Sequence, residues 1–336
     1  MNIYIEEDLN RLAKKIKEEG FEGSTVLVTG ATGLIGSLCI KAFAKNENVR
    51  VIALARNPQK AKNLFADLSV EYIFQDISQP LPDEIECNYI IHTANSTESQ
   101  FFMTNPVEVI DSIYTGTKQI LDYGVRHNVK GIVYLSSMEV FGRVDSDERI
   151  TENQLGYLDI QSVRSCYSEG KRLAELLCKS YAVEYGISVK IARLAQTFGA
   201  GIQKTENRVF AQFARSAMKG EDIILHTKGE SVGNYCYTTD VISALLVLLK
   251  KGEKGGVYNV VNEETTRTIA EMAQMVADKF SVGKSQLIFD IPQKNAFGYA
   301  PDTKLRLSSE KLNRLGWNAT VNLEEMYKRM IPDLIE

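Results

Sequence analysis

An α/β fold with a doubly wound parallel sheet is what this 336-residue sequence predicts, on three observations. Short apolar and β-branched runs alternate with helical stretches up to Leu194, which is the pattern of a parallel sheet covered on both faces. A glycine-rich turn, VLVTGATGLIGS, closes the first run and opens the first helix after it. Beyond Leu194 the pattern loosens, and glycine-rich segments (FGAG, KGESVG, KGEKGG) interrupt it. That change predicts a smaller mixed α/β lobe interleaved with the sheet.

The elements follow in order. Residues 6–19 (EEDLNRLAKKIKEE) put Leu9, Leu12, Ala13 and Ile16 on one stripe, so an amphipathic helix laid over the body of the fold is expected. STVLVTG reads as a strand ended by glycine, SLCIKAFAK as a helix, and VRVIALA as a buried strand. VEYIFQD and YIIHTA continue the sheet. A helix is predicted over Val107–Arg126, a strand at GIVYLSS, a helix over Ser168–Tyr185 and a strand at ISVKIARL. Further on, Asp240–Leu249 reads as a helix, GVYNVVN as a strand and Ile269–Phe280 as a helix. SSEKLNRLGW and a final helix close the chain.

Composition narrows the class of function. Hydrophobic residues make up 44% and charged residues 24%, ordinary values for a globular protein. With 39 basic against 43 acidic side chains the formal charge is −4, so nucleic acid and anionic membrane are not expected partners. Five cysteines without a CxxC pair and three distant histidines predict no metal site and no disulfide framework. Reduced thiols and a charged, polar first twenty residues lead us to expect a cytoplasmic protein without a secretory leader. The longest apolar run, Val241–Leu249, is too short to span a bilayer.

Gly30, Gly33 and Gly36 give the turn a GxxGxxG spacing. Glycine permits a tight turn and close backbone approach to a pyrophosphate, and the following helix start offers free N–H groups. This predicts a dinucleotide site in a Rossmann-type sheet, with Thr32, Leu34 and Ile35 beside the glycines. NAD-binding turns are followed about twenty residues on by an acidic residue for the ribose. Here Ala55 holds that place and Arg56 follows, which tilts the expectation from NAD toward NADP. Asp76, Ile77, Thr93 and Ala94, at the ends of the next two strands, are further cofactor candidates. The expected organisation is an extension at 1–22, a dinucleotide domain at 23–195 with 235–262 returning to it, and a substrate lobe at 196–234 and 263–336.

Tyr167 and Lys171, in CYSEGKRLAELL, are one helical turn apart on one face. A tyrosine titrates near 10, and bringing it to about 7 takes roughly 4 kcal/mol of preference for the phenolate. A lysine ammonium or a cationic cofactor ring is a suitable source. Spacing alone also fits an exposed pair. Ser137, at the end of strand GIVYLSS, favours chemistry, because ligands bind at that edge of such sheets. Glu139 follows at the same edge. It is read either as a base for a carbon acidified by a neighbouring ketone or as a backbone hydrogen-bond partner.

The motifs TGATGLIG, IIHTA, SSMEVFG, YSEGK and RLAQTFGAG, in this order, resemble the extended short-chain dehydrogenase/reductases, and among them the NAD(P)-dependent sugar epimerase/dehydratase group. YCYTTDV and the C-terminal LGW extend the likeness over nearly the whole chain. The resemblance implies that the three glycines hold the cofactor, Ser137 polarises the substrate, Tyr167 is the base, and Lys171 assists it and binds the cofactor ribose. It implies oxidation of a sugar hydroxyl to a ketone and association as a homodimer, through helices near 107–126 and 168–185. Glutamate at position 139 is similar to dehydratases and uronate decarboxylases. Three positions depart from the pattern: Gly233 and Asn234 stand where an arginine contacts a diphosphate, Ile113 replaces an asparagine, and Gln196 replaces another. Arg208, Arg215 and Arg306 are candidate substitutes for the arginine, and Ser96, Gln196 and Arg208 are candidate substrate contacts. The leading expectation is a nucleotide-sugar 4,6-dehydratase, decarboxylase or epimerase working through a keto-sugar. A net NADPH-dependent reductase of a keto-sugar or sugar phosphate, and a non-catalytic dinucleotide-binding regulator, are the alternatives.

Overall fold

A computed structural model describes residues 2–95, 97–144, 146–292 and 303–335. Strand β1 (Thr25–Thr29) pairs on one side with β2 (Arg50–Ala55), which carries β3 (Glu71–Phe74) at the edge. On its other side lie β4 (Tyr89–His92), β5 (Gly131–Ser137), β6 (Val189–Leu194) and β10 (Gly256–Val260). Every pairing in this seven-stranded sheet is parallel. Its central strands are continuous apolar runs because helices cover both faces. One face packs under α1 (Ile3–Glu18), α2 (Leu34–Ala44) and α8 (Thr238–Lys251). The other packs under α5 (Pro106–Arg126) and α6 (Ser165–Glu184), with the short α4 (Ser99–Thr104) beside them. Helix α3 (Pro58–Leu64) follows β2.

The second lobe is built on a three-stranded sheet in the order β11 (Asn262–Thr268), β9 (Val232–Tyr237), β7 (Gln196–Phe198). Helices α7 (Val209–Lys219), α9 (Ile269–Phe280) and α11 (Leu323–Ile335) share a core with it. A parallel pair, β8 (Ile223–Leu225) with β12 (Leu287–Phe289), the one-turn α10 (Glu310–Asn313) and a 3-10 turn after β5 (Met138–Phe141) complete the described elements. Of the segment 235–262, α8 and β10 lie with the seven-stranded sheet, whereas the end of β9 belongs to the smaller one. Asp240, at the start of α8, ties in the chain end: it accepts from Thr320 N (2.9 Å), Thr320 Oγ1 (2.7 Å) and Val321 N (3.0 Å). Trp317 Nε1 donates to the Asp240 carbonyl at 3.1 Å. No helix among the described residues is long and apolar enough to cross a membrane.

Two placements matter for the site. The chain runs from β1 outward to β3, then returns to β4 on the opposite flank of β1. This opens a crevice at the C-terminal ends of β1 and β4, where such sheets take ligands. Helix α6 begins at Ser165, three residues before the position expected from the sequence. Tyr167 therefore lies in its first turn and Arg164 is its N-cap residue.

Candidate active site

The glycine turn lies at that crevice. Gly30 has φ +63°, and a Cβ there would come within 2.5 Å of Thr93 Oγ1 and 2.8 Å of Ala94 N. A Cβ on Gly36 would run into the Gly30 carbonyl. Gly33 is the N-cap of α2 and brings no side-chain cap, so the first-turn N–H groups around Leu34 and Ile35 are left for a ligand. The cradle that side chains would fill is open, and it fits the pyrophosphate of a nicotinamide dinucleotide. Thr93 Oγ1 donates to Thr29 O (2.8 Å) and so joins the ends of β4 and β1. Asn95, two residues on, has both side-chain polar atoms enclosed without a protein partner. An orphaned amide at this edge calls for a polar partner, and the sequence alone did not single it out. Ile77 is buried against Gly116. Asp76 accepts from Ser78 N (2.9 Å) and lies 3.8 Å from Arg56, whose side chain is 71% exposed. Ser96 lies outside the described residues.

Tyr167 is buried, with its ring stacked on Phe102 at 4.4 Å. Burial pushes its phenol up, and the charge of Glu139 adds to this. A hydrogen bond with Ser137 and the guanidinium groups of Arg164 and Arg208 pull it down. Ser137 Oγ also accepts from Glu139 N (3.2 Å), which leaves its proton for the phenol or a substrate oxygen. Lys171 is equally buried. Its ammonium donates to Leu135 O (2.6 Å) and lies over the rings of Tyr134 (4.6 Å) and Tyr167 (5.7 Å). The cation thus meets the face of the phenol ring, and burial itself pushes Lys171 down to about 7. In the protein alone desolvation outweighs the nearby charges and favours the protonated phenol, which leaves the expected cationic cofactor ring as the further source of preference for the phenolate.

Glu139 does more than bond the backbone. Arg164 grips its carboxylate through two nitrogens, at 2.9 and 3.0 Å, and Ser168 Oγ donates to it at 3.2 Å. The Arg164 guanidinium lies over the Phe102 ring at 4.8 Å. Arg208 stands near enough to act on the phenol and is itself paired with Glu206 at 2.7 Å. Gln196 opens β7, two residues past Leu194, whose register partner is Ser137. Asn234, by contrast, is structural: its Oδ1 accepts from Leu307 N (2.7 Å) and its amide donates to Thr266. Arg215 donates to the carbonyls of Lys204 and Glu206, and Arg306 to Asp147 O (3.4 Å). Ile113 packs against Gly170 beneath α6, so its replacement of an asparagine makes that spot apolar.

The support under the site was not anticipated. Glu175, one turn beyond Lys171, forms a buried pair with Arg193 of β6 (2.6 Å) and accepts from Ser136 Oγ (2.5 Å). His92 is buried between Thr29 Oγ1 (2.7 Å) and Thr117 Oγ1 (3.3 Å), and burial with the Lys171 charge pushes it down to about 3. It is a neutral strut between β1, β4 and α5. The one sequence signal for these groups was their closeness to flagged ones: Glu175 and Arg164 are four and three residues from Lys171 and Tyr167.

A protein that sets a pyrophosphate cradle and a hydrogen-bonded tyrosine on one edge of a parallel sheet can oxidise or reduce a hydroxyl-bearing carbon. Such a protein is an enzyme of the extended short-chain dehydrogenase/reductase class. Residues 26–261 match the model of the NAD dependent epimerase/dehydratase family, and the chain belongs to that family. It is 30% identical over 306 residues to UDP-glucuronic acid decarboxylase 6 of Arabidopsis thaliana, covering 89% of this chain and 85% of that one. Among solved structures it is similar in fold to the UDP-glucose 4-epimerase of Thermotoga maritima, with 21% identity and TM-score 0.78, over 92% of this chain and 98% of that one. It is likewise similar to a dTDP-glucose 4,6-dehydratase of Streptomyces venezuelae holding NAD, with 22% identity and TM-score 0.75, over 93% and 97% of the two chains.

Proposed function

We propose that this chain is a nucleotide-sugar decarboxylase: it oxidises a sugar hydroxyl to a ketone, releases CO2 from the β-keto acid so formed, and reduces the ketone again. The observation that carries this reading is the Glu139–Arg164 pair, which joins the turn after β5 to the start of α6 beside Tyr167 and both of whose charges act on its phenol. The Arabidopsis relative, which acts by its name on UDP-glucuronic acid, supports it. A bound nicotinamide dinucleotide supplies a reversible hydride acceptor, with no net redox change over the cycle. Gly30, Gly33 and Gly36 would hold its pyrophosphate, and Lys171 would bind its ribose. Tyr167 takes the hydroxyl proton and later returns it. Ser137 donates to the reacting oxygen, and Glu139 serves the carbon that loses its carboxylate.

Glu139→Gln tests the assignment. On UDP-glucuronate, reduced-nicotinamide absorbance should still appear, while CO2 release slows about a hundredfold. Equal slowing of both signals would remove Glu139 from the second half of the reaction. Stoichiometric NADPH consumption on a keto-sugar, with no CO2 from any uronate, would establish the reductase reading in its place.

We take NAD as the cofactor. Arg56 is the residue on which NADP use turns, and a 2′-phosphate has to compete there with Asp76. The five buried free thiols suit a reducing cytoplasm. Helices α5 and α6 pack side by side and expose Val107, Ile110, Tyr114, Leu173 and Leu176, an apolar face that suits a second copy of the chain. Sedimentation equilibrium should therefore give twice the chain mass, and a monomer at micromolar concentration would refute the pairing.

A further inference from the structure

We propose that Arg164 is the receptor for the substrate's carboxylate: it exchanges Glu139 for the carboxylate of a uronic-acid sugar, and so selects an anionic sugar over its neutral counterpart. The inference rests on the decarboxylase reading and assigns that site its specificity residue.

Three bidentate Arg–Glu pairs lie around the site, Arg193–Glu175, Arg164–Glu139 and Arg208–Glu206, and they differ in access. Arg193 and Glu175 are 4% and 8% exposed, sealed beneath the sheet. Arg164 and Glu139 are 36% and 33% exposed, so a ligand reaches them. A guanidinium has five donors in a planar fork, enough to leave one carboxylate for another without losing its hydrogen bonds. Glu139 is not stranded by the exchange, since Ser168 Oγ and the open side of the pair still solvate it.

Position points the same way. The guanidinium lies over the Phe102 ring at 4.8 Å and the Tyr167 ring stacks on the same residue at 4.4 Å, so the cation and the phenol share one aromatic neighbour. The Arg164 charge also acts on the phenol, so a carboxylate on the carbon next to the reacting one is within its reach when the hydroxyl meets Tyr167. Without this cation the substrate's charge would face Glu139 alone, and two carboxylates repel. Arg208 is held more tightly than Arg164: its partner Glu206 is only 18% exposed and also accepts from the Arg208 backbone N–H (3.0 Å), while Arg172 donates to the carbonyls of Val140 and Gly156.

The exchange also returns on its own. The carbon–carbon bond breaks, its electron pair moves to the ketone oxygen, and the carboxyl group leaves as neutral CO2. The carbon then takes up a proton. No anion remains on that carbon, so Arg164 goes back to Glu139 and the product loses this anchor.

Titration calorimetry of the NAD-loaded protein with UDP-glucuronate and UDP-glucose tests the proposal. The wild type should prefer UDP-glucuronate by about tenfold or more. Arg164→Gln should abolish the preference by weakening UDP-glucuronate alone, and Arg164→Lys should keep part of it. Glu139→Gln should tighten UDP-glucuronate, because the competing carboxylate is gone, and this variant decides the matter if Arg164→Gln does not fold. Equal affinities in the wild type, binding of neither sugar, or a preference that survives Arg164→Gln would overturn it. Preferential binding of UDP-glucuronate without CO2 release would leave the role of Arg164 standing and remove the decarboxylase reading. CO2 release with an unchanged KM in Arg164→Gln would do the reverse.

Discussion

Tyr167→Phe is expected to lower kcat by about a thousandfold while leaving the fold and NAD affinity nearly unchanged. The ring stays, and with it the 4.4 Å stack on Phe102 that fills the space beneath α4. Only the hydroxyl goes. Its loss costs Ser137 one hydrogen-bond partner, about 1 kcal/mol, and Ser137 Oγ keeps the Glu139 N–H. The chemical loss is far larger, because in the proposed reaction Tyr167 moves the hydroxyl proton in both halves of the cycle. Turnover read as CO2 release, with thermal unfolding and NAD titration as controls, checks this. A variant within tenfold of wild type would show that the proton moves by another route. The desolvation that pushes the phenol up makes the dry pocket part of the device, since an added positive charge is felt strongly where water is excluded.

Glu175→Ala is expected to destabilise the protein by about 3–5 kcal/mol, because it leaves the Arg193 guanidinium buried without its partner. Arg193 would keep its bond to Glu152 O and its place over Phe141, which do not neutralise a charge. Replacing both residues by methionine should recover much of the loss, since a well-packed apolar pair avoids desolvating either ion. Chemical denaturation of the single and double variants reads this directly, and a single variant within about 1 kcal/mol of wild type would contradict it. The change also reaches the site. Glu175 is the largest of the influences that raise Lys171, so without it Lys171 falls further, and its charge is lost at a lower pH.

These two variants probe features of different legibility. The Tyr167–Lys171 spacing, the glycine turn and Ser137 at a strand end were readable because each depends on neighbours within a turn or a strand. Helical and strand periods convert such short separations into geometry. The start of α6 falls three residues earlier than expected because Ser162, Ser165 and Ser168 all read as start residues, while the actual N-cap is Arg164, which brings no side-chain cap. Glu139 reads from the sequence as either a base or a backbone partner, and the arginine that pairs with its carboxylate is 25 residues away. Asn234, noted as a departure from an arginine, is buried and holds the segment around Leu307, 73 residues on.

The sequence alone established the alternating elements, the parallel sheet and the dinucleotide turn, because periodicity and glycine geometry are local properties of a chain. Which carboxylate each arginine meets was decided by the tertiary structure: Arg164 with Glu139, Arg193 with Glu175, and Arg208 with Glu206. Long flexible cations can reach many partners from a given position. Packing, by setting what is buried and what is left facing the crevice, chooses among them.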